Sequence, residues 1–74
     1  MKYPLFTQVT LHIDLPALDL KKGAIGTIVE FYDMPIGQEP GYSLEGLIPN
    51  DTVEVSESSI SAIVQSPLFT TILR

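Results

Sequence analysis

Gly23 and Gly26 stand at the mouth of a run, residues 24–32, in which Ile25, Thr27, Ile28, Val29, Phe31 and Tyr32 are all strand formers. Ahead of it lie Asp14-Leu15-Pro16 and a stretch without clean alternation. Behind it, Pro35, Gly37, Pro40 and Gly41 break the backbone too often for regular structure. A central strand held between a long early loop and a Pro/Gly loop is the signature of a small β-barrel. That signature speaks to architecture more than chemistry, because small barrels host unrelated functions.

The flanking segments complete the pattern. Over residues 7–14, Val9, Leu11 and Ile13 alternate with Gln8, Thr10 and His12, as in a half-buried first strand. Residues 14–22 read as a loop folded over its own Leu15, Leu18 and Leu20, with one helical turn at residues 16–19 permitted by Pro16 at a first helical position. Residues 42–48 place Tyr42, Leu44, Gly46 and Ile48 on one face and Ser43, Glu45 and Leu47 on the other. Pro49-Asn50-Asp51 then makes a tight turn into a fourth strand, residues 52–56, with Val53 and Val55 inward. A helical turn at Glu57-Ser58-Ser59 leads to a closing strand over residues 60–64. The expected fold is mainly β: a five-stranded SH3-like barrel, residues 1–64, with a long first loop. An apolar tail, residues 65–74, follows, in which Leu68, Phe69, Ile72 and Leu73 suit a short helical turn with one apolar face.

A chain of 74 residues is one domain near the lower limit for a core without staples, and it leaves no room for a buried catalytic cleft. The absence of Cys excludes a disulfide framework and thiolate metal sites and makes a reducing cytoplasm the natural setting. No apolar run is long enough for a membrane span or signal peptide. The net charge of −5 is uneven: after Lys22 the next basic residue is Arg74, with Glu30, Asp33, Glu39, Glu45, Asp51, Glu54 and Glu57 between them. Such a chain repels nucleic acid and anionic membranes, so a charged partner is expected to be basic. Solubility alone accounts for the same charge. The hydrophobic fraction of 45% then sits either in an efficient core or in an exposed patch of the kind that marks an interface.

Few residues offer chemistry. His12 is a lone histidine at a polar strand position, with no nucleophile beside it in sequence, and scattered carboxylates give no metal-ligand spacing. Gly23 and Gly26 lack the Gly-Lys-Ser/Thr and the following helix of a phosphate loop. Their expected roles are structural: a positive φ at the turn for Gly23, and a bulge or relief of crowding for Gly26. Phe31 and Tyr32 adjoin in a strand and face opposite ways, so one of them points outward at the rim of the Pro/Gly loop. That aromatic, Tyr42 across the loop, and Leu68 and Phe69 in the tail are the expected partner contacts.

The segments Val9-x-Leu11, Asp14-Leu15-Pro16, Leu20-x-x-Gly23-x-x-Gly26-Thr27-Ile28-Val29-Glu30 and Tyr42-x-Leu44-Glu45-Gly46 together resemble an uncharacterised bacterial family, domain of unknown function 4926, over residues 5–63. The resemblance implies a small stand-alone bacterial protein with a compact SH3-like barrel and brings no catalytic residues. This chain departs from the family in its longer Pro/Gly loop, in Gly46 where a bulky residue is usual, and in its apolar tail. The shorter stretch from Lys21 to Val29 also resembles the glycine-centred motif of small barrels that bind RNA, but the acids that follow oppose that use.

The expected function is a non-catalytic protein-interaction module without cofactor or metal, the small acidic partner of another protein in the manner of an antitoxin or immunity protein. An accessory subunit of a larger enzyme or photosynthetic assembly is the alternative, with a nucleic-acid-binding barrel disfavoured by charge. Self-association stays open. Removing residues 66–74 is expected to leave the thermal unfolding transition in place while weakening association measured by light scattering or capture. Unfolding on truncation would assign the tail to the core.

Overall fold

A computed structural model describes residues 2–63. The segment beyond residue 63, including Leu68 and Phe69, lies outside the described residues. The chain forms five strands, β1 (Gln8–Leu11), β2 (Ile25–Tyr32), β3 (Gly41–Ile48), β4 (Asp51–Ser56) and β5 (Ile60–Ala62), with 3-10 turns at Pro16–Leu18 and Glu57–Ser59. All pairings are antiparallel and the order across the sheet is β4-β3-β2-β1-β5. Among the described residues no ladder joins β4 to β5, so the sheet is open, with these strands at its edges. No described helix is long and apolar enough to cross a membrane.

Alternation selects the inner face. Val9, Leu11, Ile28, Tyr42, Leu44, Val53, Val55 and Ile60 form one buried cluster, with Leu15, Leu20, Phe31, Leu47 and Ile48 packed against it. Burying each large aliphatic side chain contributes about 1.5–3 kcal/mol. The first strand ends sooner than its pattern suggests: the backbone N–H of His12 donates to the Ser59 carbonyl, and Ile13 turns outward at 44% exposure. Leu15 and Leu20 close the early loop through paired backbone bonds, while Leu18, expected beneath that loop, is exposed.

Two irregularities set the phase of the sheet. Between Ile28 and Glu30 the register against β3 shifts by one residue at Val29. Ile28 faces the core before the bulge and Phe31 faces it after, which turns Tyr32 to the outer face. A second shift, between Glu45 and Ile48, contains Gly46 at φ 97° and lets both Leu47 and Ile48 reach the core edge. The β3–β4 hairpin closes through Pro49-Asn50, with Asn50 at φ 60°.

Gly23 adopts φ 96° with open space around the missing Cβ, and its N–H donates to the Leu11 carbonyl at 2.9 Å. Gly26 has no positive φ; a Cβ there would meet Leu44 Cβ at 3.1 Å and Leu47 Cγ at 3.2 Å, so a close approach rather than a bulge is what its position demands. Phe6 is held in the left-handed region at φ 67° by its N–H bond to the Ile28 carbonyl, with its ring 72% exposed. Urea unfolding should show Gly26→Ala costing about 1–3 kcal/mol through overpacking and Gly23→Ala about 1–2 kcal/mol through backbone strain alone. Phe6→Gly should instead stabilise by about 0.5–1 kcal/mol, since it relieves strain and gives up little burial.

Candidate functional site

The register of β2, β3 and β4 lays out their outer face in rows. Tyr32 pairs with Gly41 and Gly41 with Ser56; Glu30 pairs with Ser43 and Ser43 with Glu54; Thr27 pairs with Glu45 and Glu45 with Thr52. The face therefore carries three carboxylates, one aromatic ring, and one position without a side chain. None of the three strands contributes a Lys or Arg to it.

Tyr32 organises this face. Its hydroxyl donates to Glu30 Oε1 at 3.2 Å and shares a 2.6 Å hydrogen bond with Ser43 Oγ. Reaching from its own row to the next, it covers Ser43, which is 2% exposed although alternation assigns it to the solvent side. The Ser43 hydrogen bond pulls the Tyr32 phenol down, but desolvation and the Glu30 and Glu54 carboxylates outweigh it, and the net shift is upward.

Beside Tyr32 an open groove of about 350 Å³ is lined by Tyr32, Met34, Glu39, Pro40 and Gly41 and, from β4, by Glu54, Val55 and Ser56. Gly41 makes the gap: a Cβ there would stand 3.5 Å from the Val55 carbonyl and 3.7 Å from the Tyr32 ring, in ordinary contact. The Pro/Gly loop that supplies Met34 and Pro40 is anchored at its far end. Glu39 accepts the Ser58 N–H at 2.7 Å and its hydroxyl at 3.0 Å, and the Glu57 N–H donates to the Pro40 carbonyl at 2.9 Å.

Tyr42, expected as a contact across the Pro/Gly loop, lies wholly in the core at 0% exposure. Its ring meets Tyr3 edge-on at 5.8 Å and Phe31 at 5.3 Å, and its hydroxyl donates to Glu57 Oε2 at 2.6 Å while accepting the Tyr3 N–H at 3.4 Å. Of the three described aromatics read as contacts, only Tyr32 presents its ring outward. Phe31 and Tyr42 shape the surface from beneath. Met34, Pro40, Glu39 and Glu54 escaped the reading because only folding brings the loop beside β4.

His12 stays exposed, and Ser61 Oγ lies 3.1 Å from its Nδ1, a neighbour 49 positions away. Among the described residues no side chain is hydrogen-bonded to the other ring nitrogen and no group of three or more metal-ligating side chains converges. Compared with protein-family models, curated proteins and solved structures, the chain matches none.

Burial first, and the Glu57 hydrogen bond second, hold the Tyr42 phenol above its ordinary value. A raised folded-state value means that this stabilisation is complete below about pH 10, the unfolded phenol's value, and is lost as pH climbs through 10 toward the folded value. Tyr42→Phe should cost about 1–2 kcal/mol near neutrality and flatten the alkaline limb of the stability curve followed by denaturant titration.

Proposed function

We propose that this chain is a non-catalytic protein-interaction module, the small acidic partner of another protein, and that the outer face of β2, β3 and β4 around Tyr32 is its contact face. The observation that carries the reading is Tyr32 itself, an aromatic ring fixed by two hydrogen bonds beside an open apolar groove on an acid-rich face. Aromatic residues held rigid on a surface make strong anchors, because little side-chain entropy is left to lose on binding.

The fold proposed beneath this face is an SH3-like small barrel. Its support is the strand order, with β1 between β2 and β5, a long loop between β1 and β2, and a 3-10 turn between β4 and β5. Kinship with domain of unknown function 4926 belongs to the same proposal, as does a cytoplasmic setting, which a chain without cysteine suits.

Capture of the tagged protein from its native host tests the reading. A stoichiometric partner should be retained by wild type and by Lys21→Ala, in the early loop, and lost with Tyr32→Ala and with Glu54→Lys, all four proteins having matching thermal transitions. Retention by both face variants would remove the face, and recovery of nothing but the bait would remove the module.

A further inference from the structure

Resting on that contact face, we infer that its occupant is a basic peptide segment of the partner protein, with an arginine stacked on Tyr32 between Glu30 and Glu54 and a neighbouring apolar side chain seated in the gap over Gly41. Three features converge on this chemistry.

The first is the shape of the groove. At about 350 Å³ it lies at the small end of side-chain and ligand pockets, which span about 300–1,000 Å³. Its lining includes the apolar residues Tyr32, Met34 and Pro40. They offer contact to an aliphatic or aromatic side chain, and the absence of a side chain at Gly41 leaves room for it between Tyr32 and Ser56.

The second is the disposition of charge. Glu30 and Glu54 flank Ser43 on opposite neighbouring strands, directly beside the row of Tyr32. Both carboxylates press on the Tyr32 phenol, which places them within electrostatic reach of whatever covers that ring. Glu39 spends both oxygens on Ser58, and Glu30 uses one on Tyr32, whereas no side-chain hydrogen bond engages Glu54 among the described residues. A free carboxylate beside an aromatic face suits a guanidinium, whose plane stacks on the ring while its edge donates to the acid. A lysine ammonium meets only the charge.

The third is what the face turns away. A second copy docking through the same face would bring the same acidic rows against these, because β2, β3 and β4 carry no Lys or Arg. Nucleic acid would bring phosphate. A basic peptide is the occupant for which the potential is complementary.

The probe is a set of synthetic peptides carrying one leucine flanked by arginines, with matched sets in which lysine, glutamine or glutamate replaces arginine, titrated into isotope-labelled protein. The arginine peptide should shift the amides of Tyr32, Gly41, Ser43 and Glu54, and should lose affinity as salt is raised. Glutamine for arginine should weaken binding about tenfold, the sum of two partly exposed ion pairs and a cation–π contact, and lysine should fall between. Glu54→Gln should weaken the arginine peptide alone. Gly41→Leu fills the gap from a position without positive φ, and should abolish binding while the thermal transition persists.

Equal affinity for arginine and glutamine peptides would overturn the inference, as would shifts outside this face or no binding by any peptide. Concentration-dependent self-association that moves the same amides would overturn it in favour of a second copy. Capture of a partner that depends on Tyr32 but not on any of these peptide chemistries would leave the contact face standing and the occupant wrong.

Discussion

A phenol buried without a partner is costly, and Tyr42 is buried completely. The Glu57 carboxylate that accepts its hydrogen bond belongs to the 3-10 turn after β4, so satisfying one hydroxyl in the core fixes where the chain goes next. The same turn is held by the Pro40 carbonyl and by Glu39. Held by four hydrogen bonds on Glu57 and Ser58, it delivers Ile60 to the sheet in register with Leu11, and a strand of only three residues suffices to cover the free side of β1. Tyr3, edge-on to Tyr42 and bonded through its hydroxyl to the Ile60 carbonyl, draws the amino-terminal segment to the same point.

The candidate site inherits its order from this arrangement. Within the Pro/Gly loop one turn, closed by the Gln38 N–H on the Pro35 carbonyl, gives local shape, and its closing residues, Glu39 and Pro40, are tied to the turn that Tyr42 anchors. Met34 and Pro40 therefore wall a groove whose other side is β4. An interaction surface assembled in this way loses little conformational freedom when occupied, which suits a domain with little stability to spare.

Much of the scaffold was legible because its causes are local. Val9 and Leu11 alternate with polar neighbours, Pro16 opens a short turn, Pro49-Asn50 reverses the chain, and Val53 and Val55 straddle Glu54. The outer face was less so. Which of Phe31 and Tyr32 points outward depends on the bulge at Val29, a cross-strand register effect with no signature in composition. Ser43 is polar and alternates to the solvent side, yet a ring from the neighbouring strand covers it. Tyr42, expected as a contact across the Pro/Gly loop, lies in the core because a carboxylate fifteen positions later accepts its hydroxyl's hydrogen bond. Each miss is a contact between elements, where one side chain's environment is set by another far along the chain.

As the outermost strand on its side, β4 leaves one row of backbone donors and acceptors unclaimed by the sheet, and such rows invite a like strand from another molecule. Glu54 sits in the middle of that strand. Two copies approaching edge to edge would bring carboxylates together, which discourages the stacking that leads to fibrils. Colloidal stability and the proposed recognition thus draw on a single side chain, and a change that neutralises it weakens both at once.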